Sequence, residues 1–245
     1  MKKILIVGAN SLIAVEVARQ LATNGDSFFL TGRDLGRLKV IADDLQVRGA
    51  SLVVTEQLDL AICVDLDNFG ARAAKSLGGL DRVIFAAGIL HDQTQVNTDS
   101  NSLRETLEVN ALSAMLVLNE AAAYFEHQGH GQLVAIGSVA GDRGRATNYA
   151  YGAAKGALEI FMSGLRQRLY KSGVQVLLVK PGFVDTPMTA DFPKGPLWAS
   201  PQRVAEDIVR AMEKGRSVIY TPWFWRWIML VIRHIPERLF VRLRF

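Results

Sequence analysis

The sequence predicts one doubly wound α/β domain, a parallel sheet with helices on both faces. Three observations carry that expectation. Short apolar, β-branched runs alternate with helix-like stretches along most of the 245 residues, the order of a parallel sheet with crossover helices. The runs are hydrophobic throughout rather than alternating, as strands covered on both faces are. Small or polar residues follow six of them in turn, where such a sheet opens its ligand crevice.

The first strand is Ile4–Val7. Met1-Lys2-Lys3 begins like a secretory leader, but Gly8, Asn10 and Ser11 break the apolar run, and Glu16 and Arg19 follow at helical spacing. A buried strand turning into a helix is the better reading. Ser11 opens that helix and Asn24-Gly25 closes it. The second strand is Phe28–Thr31, after which Asp34 caps a helix ended by Gly49. Further strands are Leu52–Gln57, Arg82–Ala86, Gln132–Ile136, Val174–Lys180 and Val218–Tyr220, with Ser200-Pro201 opening the helix before the last. The crevice residues are then Gly8–Ile13, Gly32-Arg33, Asp59-Leu60, Ala87-Gly88, Gly137-Ser138 and Pro181-Gly182.

A hydrophobic content of 49% against 21% charged suits a globular chain with a large core. The single cysteine, Cys63, excludes an internal disulfide framework and reads as a small buried residue in a reducing, cytoplasmic setting. The net charge of +4 is local. From Thr221 onward stand Arg226, Arg233, Arg238, Arg242 and Arg244 against Glu237 alone, so residues 1–220 sum to zero. With no basic patch on the body, nucleic-acid binding is excluded. The chain divides into a body of residues 1–222 and a basic aromatic tail of residues 223–245.

Tyr151 and Lys155 stand four apart in Tyr-Gly-Ala-Ala-Lys, and on a helix they share one face. A cation beside a phenol lowers its pKa, which makes Tyr151 a proton donor or acceptor near neutral pH. Ser138, thirteen residues upstream, is placed to donate to a substrate oxygen. Tyr149 is set aside, because Ala153 lies four residues beyond it. In the first turn, Val7-Gly8-Ala9-Asn10-Ser11-Leu12-Ile13-Ala14, a glycine permits a tight bend and the next helix aims its N–H groups at a phosphate. Arg33 stands where an acidic residue would hold an adenosine ribose, and its guanidinium suits a 2′-phosphate. That favours NADP(H), with NAD(H) as the alternative. Asp59 either reaches an adenine amino group or ends its strand. His127 and His130 lack a third ligand and read as a loop, with no metal.

With the crevice and this spacing together, the chain resembles the short-chain dehydrogenase/reductase family from about Lys2 to Tyr220. Gly8 opens the glycine turn. Asn110, in Glu108-Val109-Asn110, matches the active-site asparagine on a helix. Ser138, Tyr151 and Lys155 match the catalytic set, and Pro181 to Pro187 matches the segment that holds the nicotinamide end. Two departures stand out: Leu12 and Ala14 replace glycines of the turn, and Phe85-Ala86-Ala87-Gly88 replaces Asn-Asn-Ala-Gly. The resemblance implies a Rossmann-type fold and reversible hydride transfer between a nicotinamide and a carbonyl or secondary alcohol. It implies that Tyr151 is the general acid, that Lys155 lowers its pKa and binds the ribose, and that Ser138 holds the carbonyl oxygen. Asn110 would hold a relay water. Gly8, Asn10, Ser11, Leu12, Ile13, Arg33, Asp59, Leu60, Ala87, Gly88, Pro181, Gly182, Val184 and Thr186 would join Tyr151 and Lys155 around the cofactor. Long helices before Asn110 and after Tyr151 would pair subunits into a homodimer or homotetramer.

In the tail, at 100° per residue, Trp223, Phe224, Trp227, Ile228, Val231, Ile232 and Ile235 cover one half of a helix, opposite Arg226 and Arg233. The run is too short to span a bilayer but fits the membrane interface, as a peripheral contact on the inner face. The other reading is a face packed on the body or on a partner. The chain is also distantly similar to the branch of the family that reduces a keto-sugar on a polyprenyl phosphate, which suggests a hydrophobic or lipid-linked carbonyl substrate. The loop Met188–Ala199 would cover it, with Phe192, Leu197 and Trp198 either giving it an apolar lining or anchoring the loop. A second hypothesis is a non-catalytic dinucleotide-binding sensor docking through its tail; the intact catalytic set argues against it.

Overall fold

The computed structural model describes residues 1–62 and 68–243; Cys63, Arg244 and the readings attached to them lie outside that range. In chain order the elements are β1 (Lys3–Val7), α1 (Leu12–Ala22), β2 (Ser27–Gly32), α2 (Leu35–Val47), β3 (Leu52–Gln57), α3 (Phe69–Leu77) and β4 (Arg82–Phe85). Then come α4 (Gln93–Thr98), α5 (Ser100–Leu107), α6 (Ser113–Gln128), β5 (Gly131–Ile136), α7 (Tyr149–Leu169), β6 (Val174–Pro181), β7 (Phe183–Val184), β8 (Trp198–Ala199) and α8 (Pro201–Glu213). The chain closes with β9 (Val218–Thr221), α9 (Trp225–His234) and α10 (Glu237–Phe240).

Seven strands pair in parallel in the order β3-β2-β1-β4-β5-β6-β9. The order reverses between β2-β1 and β4, so the switch point opens at the carboxyl ends of β1 and β4. Two apolar layers sandwich the sheet. Side chains of α1, α2 and α8 pack on Ile4, Ile6, Phe28 and Leu30, while those of α3, α6 and α7 pack on Leu5, Val7, Val83 and Phe85. Successive residues of one strand feed opposite layers, which is why the strands read as unbroken apolar runs.

The expected helix signals act as written. Asp34 accepts from the Arg37 N–H at 2.9 Å and Ser200 from the Arg203 N–H at 3.2 Å, each meeting a donor the helix leaves open. The short β7–β8 pair was not expected from sequence; two-residue strands carry no periodicity.

One charge enters the core on β6. Lys180 is 1% exposed, and its ammonium donates to Asp142 and, at 2.7 Å, to Glu159 Oε2 on α7. The Tyr220 hydroxyl of β9 donates to the other Asp142 oxygen at 3.0 Å. Burial alone would pull the lysine pKa down, but its bonds to Asp142 and Glu159 outweigh that and hold it above the usual value.

The tail lies on the body. Trp225 and Met229 of α9 are buried against Val139, with Phe183, Tyr220, Phe224, Ile228 and Ile232 packed around them. Arg143 closes the end of the helix. Its guanidinium donates to the carbonyls of Ile232 at 2.7 Å and Ile235 at 2.6 Å, pairs with Glu237 at 2.7 Å and lies 3.7 Å over the Phe240 ring. This corrects the expected face. The inward stripe is Trp225, Ile228, Met229 and Ile232, and Trp223, Trp227 and Val231 point to solvent. An apolar arc half a helix wide does not say which part of it a neighbour will cover, and here the covered part is the one that meets Gly182 and Val139.

Candidate active site

A cavity of about 420 Å³ lies along the carboxyl ends of the strands. It runs from the turn after β1 to the segment after β6. Each predicted cofactor residue lines it: Gly8, Asn10, Ser11, Leu12, Ile13, Arg33, Asp59, Leu60, Ala87, Gly88, Pro181, Gly182, Val184 and Thr186, together with Ser138, Tyr151 and Lys155. Sequence reasoning missed Arg37, Arg145, Asn148 and Thr189, which line it too.

At one end, the β1–α1 turn bends at Gly8, whose φ of +83° is left-handed and whose Cα faces Ala87 so closely that a Cβ would overlap its backbone. Only glycine fits there on both counts. Asn10 ties this turn to the next: its Nδ2 donates to the Asp34 carbonyl at 3.3 Å and its Oδ1 accepts from the Asp34 N–H at 3.2 Å. Gly32 leaves room for that amide. The side chain of Asn10 thus works on the protein backbone. Ser11 makes no side-chain cap, so the first N–H groups of α1, at Leu12 and Ile13, remain open at the cavity wall. Asp59 accepts from the Ala61 N–H at 3.0 Å, which ends its strand in an Asx turn.

At the other end, β5 leads into Ser138, which caps a 3₁₀ turn by accepting from the Ala140 N–H at 3.1 Å. The Ser138 hydroxyl hydrogen-bonds the Tyr151 phenol at the start of α7. One helical turn on, Lys155 is buried and donates to the Ile136 carbonyl at 3.1 Å, its ammonium 5.6 Å from the Tyr151 ring centre. Asn110 is fully buried in a π-helical turn, Glu108–Leu112, between α5 and α6. Its amide donates to Ile89 and Thr106 carbonyls, both at 2.9 Å, and its Oδ1 accepts from the Ile89 N–H at 3.1 Å. It sits behind the cavity wall, beneath Gly88, where a Cβ would come within 2.8 Å of Asn110 Oδ1 and 3.5 Å of Lys155 Nζ.

The electrostatics depart from the expected lowering of the tyrosine pKa. Burial pushes Tyr151 up to about 12, and the bond from Ser138 offsets this only in part. Burial also pulls Lys155 down to about 8. The ammonium faces the ring and the Ile136 carbonyl rather than the hydroxyl, so desolvation outweighs attraction to a phenolate. At neutral pH the pair is a protonated phenol and a mostly protonated lysine, the form suited to proton donation. Over this end, Met188, Thr189 and Phe192 line the cavity. Of the two roles expected for Trp198, lining or anchoring the loop, its stacking on Phe183 at 5.4 Å fits the second, and Leu197 is exposed outside the cavity.

Residues 2–196 match the short chain dehydrogenase family profile. The chain belongs to the short-chain dehydrogenase family. A similar protein, an uncharacterized oxidoreductase of Mycobacterium tuberculosis, is 35% identical over 96% of this chain and 94% of its own. Another from Streptomyces coelicolor is 32% identical over 99% and 96%. Two solved structures share the fold at 23% identity. An alcohol dehydrogenase of Comamonas testosteroni specific for bulky-bulky ketones superposes with a TM-score of 0.83 over 97% of this chain and 96% of that one. A short-chain dehydrogenase of Sphingobium yanoikuyae in complex with NADPH superposes with 0.84 over 97% of each.

As a short-chain dehydrogenase the protein is an oxidoreductase, and the family binds NAD(P)(H). The residues present fit such a dinucleotide: the tight Gly8 turn and open helix N–H groups suit its phosphates, and the cavity runs unbroken from there to Tyr151 and Lys155. The pKa order predicts a pH profile. Tyr151 stays protonated across the working range, so kcat/KM for carbonyl reduction should hold at pH 6–7 and fall as pH rises through about 8, where Lys155 loses its charge. Lys155→Arg should move that falling limb to higher pH; a limb unmoved in the variant would assign it to another group.

Proposed function

We propose that the protein is an NADPH-dependent oxidoreductase interconverting a ketone and a secondary alcohol, with Tyr151 as general acid and base. The observation that carries this reading is the Ser138–Tyr151 hydrogen bond, held beside buried Lys155 at one end of a cavity that continues to the Gly8 turn. When bound, the dinucleotide supplies or accepts the hydride. The chain's own residues handle the proton and the charge. In reduction, Ser138 donates to the carbonyl oxygen and Tyr151 delivers its proton to the developing alkoxide. Lys155 steadies the phenolate left behind and pairs with ribose hydroxyls. Asn110 fixes the Ile89 turn and, through the second lone pair of Oδ1, anchors a water that links Lys155 to solvent. The similar Comamonas fold, named for ketones, supports a carbonyl substrate.

Preference for NADP(H) rests on Arg33 and Arg37. Both line the cavity beyond β2, both are exposed, and among the described residues neither guanidinium has a carboxylate partner. Paired guanidinium donors suit a 2′-phosphate, and the Sphingobium relative carries NADPH. Kinetics test both assignments. Tyr151→Phe should lower kcat at least about 100-fold, the scale of lost general-acid catalysis, while NADPH fluorescence titration stays near wild type. Arg33→Ala should raise KM for NADPH about tenfold or more and leave KM for NADH little changed. Near-normal turnover by the phenylalanine variant would overturn the catalytic assignment.

Exposed Leu103, Leu107, Leu116 and Ile160 give the α5–α7 flank an apolar surface, which supports pairing into a dimer or tetramer; light scattering that returns a monomer would contradict it.

The tail supports a hydrophobic or lipid-linked substrate and a peripheral place on the inner membrane face of the cytoplasm. No helix among the described residues is long and apolar enough to cross a membrane. With Trp225 and Met229 buried, α9 and the residue pair before it still expose Trp223, Trp227, Leu230 and Val231, flanked by Arg226 and Arg233, the pattern of an interfacial helix. Trp223→Glu with Trp227→Glu should at least halve the fraction that co-sediments with anionic liposomes, with thermal stability retained because both side chains are outside the packed face. Equal sedimentation of variant and wild type would remove the membrane contact.

A further inference from the structure

The loop that joins Ser138 to Tyr151 carries two arginines with opposite circumstances. Arg143 is saturated by tail carbonyls, Glu237 and the Phe240 ring. Arg145, two residues on, has no carboxylate partner among the described residues. Among the described residues its Nη2 reaches only the Met229 sulfur at 3.4 Å, and its Nε is buried without an acceptor. The nearest acid in sequence, Asp142, is already engaged by Lys180 and by the Tyr220 hydroxyl. Burial depresses the Arg145 pKa, and Asp142 only partly offsets this, yet a guanidinium stays charged at neutral pH. A half-buried cation without a counterion is costly.

Asn148 lies in the same wall and is also unsatisfied. It is the N-cap residue of α7, where asparagine normally accepts from the first turn and stabilises the helix by about 1 kcal/mol. Here it makes no cap bond, and its Oδ1 is buried with no donor. Both residues line the cavity that holds Ser138 and Tyr151. The dinucleotide phosphates are served by the opposite end, at Gly8–Ile13, Arg33 and Arg37. What remains unserved beside Tyr151 is one cation with donors and one buried acceptor.

We infer that the carbonyl substrate is an oxyanion, a carboxylate or a phosphate ester, whose charge is held by Arg145. This rests on the reductase reading above and adds the substrate's charge to it. A guanidinium gives the oxyanion two parallel donors. The Met229 contact from the tail holds the side chain at the cavity wall, so the tail contributes indirectly to the substrate end. A carboxylate and a phosphate share this chemistry, and the two arms of the test separate them.

The experiment is NADPH oxidation by the full-length protein on matched pairs: a hydroxylated keto acid against its methyl ester, and a keto-sugar phosphate against the free keto-sugar. The anionic member should have kcat/KM roughly 10- to 100-fold above its neutral partner, the range of a charge-assisted bond, and the arm with the larger ratio identifies the anion. Arg145→Met should lower that ratio at least about tenfold, chiefly through KM, and Arg145→Lys should restore part of it. Calorimetric binding of the same pairs to Tyr151→Phe protein reads the anion site without turnover. If no carbonyl is reduced but the anions bind through Arg145, the reductase reading fails and the anion site stands. Equal or better handling of the neutral members, in turnover and in binding, or a ratio unchanged in Arg145→Met, overturns the inference.

Discussion

The Lys180 ammonium, buried between Asp142 and Glu159, is the joint on which the candidate site depends. Charges removed from water are costly unless geometry and hydrogen bonding compensate, so this cluster holds its members in one arrangement. Its members stand next to each segment of the candidate site. Asp142 ends the 3₁₀ turn that Ser138 caps, Glu159 lies one helical turn beyond Lys155 on α7, and Lys180 precedes Pro181-Gly182 at the end of β6. Because Asp142 also accepts from Tyr220, β9 and the tail that follows are registered to the same point. Three segments remote in sequence thereby meet at one end of the cavity.

Burial then sets the character of that end. The same desolvation that raises Tyr151 and lowers Lys155 favours the uncharged form of each group, so the phenol waits as an acid. Ser138 tunes it through one bond, and the lysine, drawn to the Ile136 carbonyl, contributes charge to the site without locking onto the phenolate. The cofactor end works by the opposite means. It offers exposed cations at Arg33 and Arg37 and open backbone donors, and the side chain of Asn10 keeps two neighbouring turns in register.

Much of this was legible in the sequence because it is local. Unbroken apolar runs revealed buried parallel strands; Asp34 and Ser200 marked helix starts through bonds three residues long; Tyr151 and Lys155 shared a face by helical arithmetic. The parts that escaped are set by distant partners. Which stripe of α9 turns inward depends on the bare backbone of Gly182, against which the Trp225 indole packs. The direction of the Tyr151 shift depends on how much water the surrounding layers remove. That Arg143 is saturated while Arg145 is not cannot be seen in Arg-Gly-Arg, since the difference lies some ninety residues away in the tail. Lys180, the lone charged residue of β6, was the one visible sign of the buried ion cluster.

The Arg143 clamp gives the tail a thermodynamic role. Docking of α9 and ordering of the loop from Ser138 to Tyr151 share the same bonds, so they behave as one equilibrium rather than two. Linkage makes such coupling reciprocal: anything that steadies the loop from inside the cavity tightens the tail's hold on the body, and anything that draws the tail away loosens the loop by the same free energy. The tail is thereby a lever on the loop from Ser138 to Tyr151, with Arg143 as its fulcrum.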